Sequence, residues 1–247
     1  MSEEFNNLLE EVKGLRQNIL FYSPTKDKNY SISALNLKQQ KLIIENTISS
    51  SLNLIFFNIT FFNIIKDNFL DSIDSLDTID RVNISLSLRS AIQDDYEIED
   101  KKVSIKDIIE RNKEKIEINE EVIETDDYKF TVRPPNLVTD NKVNELILNK
   151  YKNNQIDDNN LKSVISDLYV YEIIKFVKNV EIGMGEINFN VEDNFNNSIK
   201  LFNEIDSVNF KQILRYINKI RDIELSLTKI PETEENISIT PDFFIVQ

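Results

Sequence analysis

Residues 37–69 carry a long helical pattern whose second half, from residue 52 onward, is almost wholly apolar. Asn46, Ser49, Asn53, Thr60 and Asp67 fall on one narrow stripe of a helical wheel. A helix with so thin a polar stripe has to be covered on most of its sides. Residues 52–65 are therefore expected to form the most buried helix of the fold, and Asn58, off the stripe, is expected to need a hydrogen-bond partner if buried. The apolar run is about fourteen residues long and is interrupted by Asn53, Asn58 and Asn63. That is short of the ~20 residues a bilayer-spanning helix requires, so no membrane contact is expected. The acidic, polar start, Met1 to Asn7, is unlike a secretory leader.

Around this centre the pattern changes repeatedly. Phe5, Leu8, Leu9, Val12 and Leu15 recur at helical spacing behind the acidic turn Ser2-Glu3-Glu4, which predicts a first helix to about Gln17. Two β-prone runs, 19–22 and 30–33, flank the polar turn Ser23-Pro24-Thr25-Lys26-Asp27 and predict a hairpin. Farther on, residues 94–100 read as an acidic loop, and Ser104 reads as the cap of a short helix. Residues 114–124 and 128–132 read as paired strands that end at Pro134-Pro135. Helices are expected at 139–152 and 158–178, short strands around Gly183-Met184-Gly185, and a last helix from Ser207.

Residues 70–88 conflict. Leu70, Ile73, Leu76 and Ile79 recur every third residue, each followed by Asp. Val82, Ile84, Leu86 and Leu88 then alternate with Asn83, Ser85 and Ser87, which alone favours a strand, although Ile79, Val82, Leu86 and Arg89 also suit a helix.

The chain has 247 residues, no His, no Cys and no Trp, and a net charge of −14. Without Cys there is no disulfide, thiolate nucleophile or thiolate metal site. Without His the commonest general base and transition-metal ligand are gone. No cofactor and no metal are expected. Lysines at 26, 28, 38, 41, 101, 102, 113 and 115 are spaced among acids, so no basic patch offsets the charge and nucleic acid is not an expected partner. The sets Asp71/Asp74/Asp77/Asp80 and Asp94/Asp95/Glu97/Glu99/Asp100 lack calcium-loop spacing and its glycine and read as solvated caps and loops. Glu120, Glu121 and Glu124 read as a solvated strand edge. Ser49-Ser50-Ser51 has no His or glycine elbow, which argues against a nucleophile there. Gly183-Met184-Gly185 lacks the third glycine of a dinucleotide loop, Asn188 standing there, and reads as a strand-connecting turn. The apolar tail Pro241-Asp242-Phe243-Phe244-Ile245-Val246 is costly to leave in water, at ~1.5–3 kcal/mol per buried Phe. Either it docks on the chain's own core, as a short strand or on the helix at 208–226, or it is offered to a partner.

Three segments, in order, resemble the baseplate hub and hub-assembly proteins of T-even-type contractile-tail phages. They are Tyr22-Ser23-Pro24-Thr25 with 32–41 (ISALNLKQQK), Asp80-Arg81 with 86–89 (LSLR), and 171–180 (YEIIKFVKNV) with 205–224 and Pro241-Asp242-Phe243-Phe244. The resemblance implies a helix at 77–91 and a structural or chaperoning role in assembling the hub. The pattern along the chain predicts an α+β fold, predominantly α-helical with a few short β-hairpins. It is expected as a single domain over 1–247, with a weak subdivision into a mainly helical 1–92 and a mixed 93–247. The chain is expected to be no enzyme and to contact other hub proteins, in the host cytoplasm during assembly and in the virion baseplate if it stays. Phe243, Phe244, Ile245, Val246 and Arg89 are the candidate interface or docking residues. The rival expectations are a carboxylate-dependent metal enzyme and an acidic inhibitor of a host protein.

Overall fold

In a computed structural model that describes residues 3–45, 53–98, 101–151, 161–189 and 195–245, helix α1 (Glu3–Gly14) leads into an antiparallel hairpin, β1 (Asn18–Ser23) with β2 (Lys28–Ser33). The turn ends on Asp27 at φ 51°, and the register pairs Ser23 with Lys28. Phe21 and Tyr30 point to the same side, stack at 5.7 Å and meet Phe69 at 5.8 and 5.5 Å. Period-2 burial thus places one face of the hairpin on the core.

The helical pattern at 37–69 is realised as α2 (Leu37–Glu45) and α3 (Asn53–Asn68); the expected stripe residues Asn46 and Ser49, and Ser50-Ser51, lie outside the described residues. Phe57, Phe61, Ile64 and Ile65 of α3 are buried, but Leu54, Asn63, Lys66 and Asp67 face solvent. The expectation that residues 52–65 form the most buried helix is therefore corrected. That place belongs to α4 (Asp80–Ile92), where Asp80 and every residue from Val82 to Arg89 are buried. The helix implied at 77–91 is present, and the strand-like alternation misleads for a physical reason. A helix enclosed on all sides has no solvated face to carry its polar residues, so these point inward and need partners.

Those partners hold the fold together. The buried Asp80 carboxylate accepts from Ser23 Oγ and Thr25 Oγ1, both at 2.7 Å, and from the backbone of Asp77 at 2.9 Å. Asn83 donates to the Tyr22 carbonyl at 2.9 Å and accepts from Asn112 Nδ2 at 2.9 Å. Ser85 donates to the Arg81 carbonyl at 2.8 Å. Asp80 is thus not a solvated cap, although Asp71 and Asp74 are exposed.

The acidic stretch after α4 is also corrected. Asp95 to Ile98 forms β3, paired with β4 (Lys101–Ser104), because Tyr96 and Ile98 alternate with exposed Asp95 and Glu97. Asp94 accepts from Ser90 and Ser104 side chains and from Lys106 N; Glu99 and Asp100 lie outside the described residues. Ser104 caps α5 (Ile105–Arg111), accepting from Asp107 N.

Beyond α5 an antiparallel sheet runs in the order β5 (Glu121–Glu124), β6 (Tyr128–Val132), β7 (Val177–Ile182), β8 (Gly185–Asn188). The strand expected over 114–124 is thus confined to its last four residues. Glu120 and Glu121 are not merely solvated, since they pair with Lys178 and Lys219. Gly183 and Met184 make the two-residue β7–β8 turn; Gly183 takes φ 57°, which glycine adopts without a Cβ penalty. Helices α6 (Leu137–Tyr151) and α7 (Leu161–Ile174) connect β6 to β7, so the helix expected over 158–178 stops where β7 begins. The sequence reading missed α8 (Phe195–Glu204). Asp206 caps α9 (Ser207–Thr228), accepting from Val208 N at 2.9 Å and Asn209 N at 3.1 Å.

The fold is α+β with helix predominant, and its buried apolar residues, from Phe21 to Phe244, make one cluster. No helix among the described residues is long and apolar enough to cross a membrane. Phe61 is fully buried between Phe57 and Phe244. Phe61→Ala is expected to lower unfolding free energy by ~3–5 kcal/mol, read as a lower urea midpoint at unchanged slope.

Candidate functional site

The tail residues singled out in the sequence come together with Arg89 inside the protein. Pro241–Phe244 forms a 3-10 turn, with Phe243 and Phe244 both fully buried. Phe244 packs on Phe57 and Phe61 of α3, and its carbonyl accepts from Gln40 of α2 at 3.0 Å. Phe243 meets Tyr96 of β3 edge-on at 5.3 Å. Arg89, 2% exposed, donates from Nε to the Phe243 carbonyl at 2.7 Å, and from its two terminal nitrogens to the carbonyls of Gln93 and Asp95. Burial pushes the Arg89 guanidinium down from its ordinary pKa, while Tyr96 and Asp94 push it up. The tail thus docks as a helical turn against α2, α3 and β3, and neither as a strand nor on α9 as expected. Arg89, Phe243 and Phe244 are buried within the chain itself; Ile245 is partly exposed and Val246 lies outside the described residues.

A second constellation went unseen in the sequence. Asp140, on α6, is 3% exposed and receives Arg81 Nη1 at 2.8 Å and Lys175 Nζ at 2.8 Å. Lys175 also reaches Glu172 at 2.8 Å. Burial pushes Asp140 up, but Lys175 and Arg81 together win and hold it at about 2. Burial pushes Lys175 down, and Asp140 and Glu172 more than reverse this. The available signal was Lys175 itself, a lone cation among the apolar residues of 173–177.

In front of Arg81 lies a cavity of about 460 Å³. Helical spacing builds three of its walls: Leu54, Phe57 and Asn58 from α3, Arg81, Val82 and Ser85 from α4, and Arg221, Glu224, Leu225 and Thr228 from α9. Residues 237–239 close the fourth side. Burial raises the Glu224 pKa; the charges of Arg81 and Lys175, with the nearby Thr78 side chain, lower it without overcoming burial. Glu224 is the one carboxylate among the described lining residues, and no group of three or more acidic side chains among the described residues is arranged to hold a metal ion.

The third feature is α1. Its apolar row is largely exposed, with Leu8 54% and Val12 62% accessible, and Leu15, the residue just after the helix, 82%.

Deleting residues 241–247 removes two buried phenylalanines at ~3–5 kcal/mol each and is expected to lower Tm by about 10 °C or more in a calorimetric scan. Glu224 gives a second prediction. Its folded pKa lies above the ordinary 4.5, so the folded state binds its proton more readily than the unfolded chain does. Stability from this group therefore falls as pH rises through the window above 4.5. Glu224→Gln mimics the protonated form, so the variant is expected to be at least as stable as the parent at pH ~7, with the difference gone once pH drops below 4.5. Chemical denaturation at several pH values checks this. Compared with known proteins, the chain matches no protein-family model, no curated protein and no solved structure.

Proposed function

We propose that this chain is a structural or assembly protein of the tail baseplate hub of a contractile-tail phage, acting by protein–protein contact and not by catalysis. The observation that carries the contact reading is the exposed apolar row of α1. Leu8, Leu9, Val12 and Leu15 follow the i, i+3/i+4, i+7 pattern that ordinarily covers a core, yet all are open to solvent. An apolar stripe on a helix flanked by charged residues is the form that helix-in-groove recognition takes. The surrounding charge of −14 disfavours nucleic acid and leaves a protein groove as the suitable counterpart. The hub itself rests on the three resembling segments. Tyr22 to Thr25 ends β1 on Asp80, and Asp80-Arg81 opens α4. The partners are other hub proteins, met in the host cytoplasm during assembly.

The test is co-expression with the tail-tube, tape-measure and hub proteins of a contractile-tail phage, followed by affinity purification. The parent is expected to co-purify with a hub component. Leu8→Glu with Val12→Glu is expected to abolish that association while shifting Tm by no more than about 2 °C, because both positions are exposed. Association with none of these proteins, or association that survives the double substitution, overturns the proposal.

A further inference from the structure

The cavity between α3, α4 and α9 is independent of the α1 row, and its chemistry is specific. Most lining surface is apolar, supplied by Phe57, Val82, Leu225 and Ile237. Into this apolar space open polar groups of both signs. Arg81 has Nη1 committed to Asp140, while among the described residues nothing accepts from its Nε or Nη2. Its side chain is 26% accessible, so the remaining donors meet the cavity and are held there by the buried carboxylate behind them. Glu224 makes no direct ion pair among the described residues, and the charges of Arg81 and Lys175 act on it only from farther off. The half-buried Asn58 amide also has no hydrogen-bond partner among them.

We propose that this cavity binds a small zwitterion of the α-amino-acid class with an apolar side chain. A carboxylate on the ligand meets the open donors of Arg81, with Arg221 at the rim, through charge-assisted hydrogen bonds. Its ammonium meets Glu224 and supplies the direct ion-pair partner that this carboxylate does not have among the described residues. Its side chain displaces water from Phe57, Val82 and Ile237. A simple anion leaves Glu224 facing like charge, and a simple cation leaves Arg81 facing like charge. A divalent metal finds a single carboxylate and two guanidinium groups. The volume lies within the range of small-molecule sites, ~300–1,000 Å³, and leaves room for bridging water around an amino acid.

Titration calorimetry on the full chain tests this with L-phenylalanine and L-leucine, against 3-phenylpropanoate, which lacks the ammonium, and 2-phenylethylamine, which lacks the carboxylate. At least one amino acid is expected to bind saturably at one site. Each phenyl analogue is expected to bind about tenfold or more weakly than phenylalanine, the loss of one charge-assisted contact. Glu224→Gln is expected to reduce phenylalanine to the affinity of 3-phenylpropanoate without weakening 3-phenylpropanoate itself. Leu225→Trp, at an exposed rim position, is expected to block all four probes, with circular dichroism melting showing both variants folded. No saturable binding of either amino acid overturns the proposal. So does equal binding of phenylalanine and its two analogues, or binding that Leu225→Trp leaves intact. None of these outcomes bears on α1, so failure here is separate from failure of the assembly reading.

Discussion

The Asp80 carboxylate is the contact on which the rest of the arrangement depends. A buried carboxylate is tolerated only when its lone pairs are occupied, and here hydroxyls and a backbone amide occupy them. The acceptor sits at the start of α4 and the hydroxyls at the end of β1 and in the turn after it, so satisfying the charge fixes the hairpin on the helix. Asn83, one turn later, repeats the device on the Tyr22 carbonyl and passes it to Asn112. Asn112 donates in turn to the Leu227 carbonyl, at the end of α9. Arg111 completes that end by donating to the carbonyls of Ser226 and Leu227, where a cation also complements the helix dipole. A short chain of polar side chains thus relates β1, α4, α5 and α9. Apolar packing alone, which is non-directional, does not specify such an orientation.

What could be read in the sequence follows from how local each signal is. The first hairpin was legible because its turn chemistry and its alternation are contained in sixteen residues, 18–33. Helix α8 could have been found from Phe195, Ile199 and Phe202 at helical spacing. Residues 82–88 misled because period-2 alternation presumes a solvated face, and α4 has none. The Arg81–Asp140–Lys175 group was not legible, since its members lie 59 and 35 residues apart and only the tertiary fold brings them together. The tail was legible as a segment that needs cover. Its cover was not, because Arg89, Tyr96 and Gln40 carry no local mark of complementarity to two phenylalanines.

The ion group behind the cavity illustrates why buried charge and open charge differ in use. Asp140 with two cations is closed, and breaking one side of such an arrangement typically costs about 3–5 kcal/mol because a charge is then stranded. It serves as a fixed backing. Arg81 is bound to that backing by one nitrogen and open through the others, so its orientation is set before anything enters. Pre-organisation of this kind removes an ordering cost that a flexible surface arginine has to meet on binding.

The docking of Phe244 on Phe57 and Phe61 has a consequence for synthesis. Arg89 and the Phe243 carbonyl that it holds are 154 residues apart. At translation rates of roughly 5–20 residues per second, about 8–30 s separate the emergence of α4 from that of its clasp. Throughout that interval two stacked phenylalanines of α3 lack the ring that covers them, and a buried-type guanidinium lacks one of its acceptors. The amino-terminal helices are therefore dependent on a distant segment made much later, and during that time the nascent chain presents the kind of aromatic surface that chaperones hold.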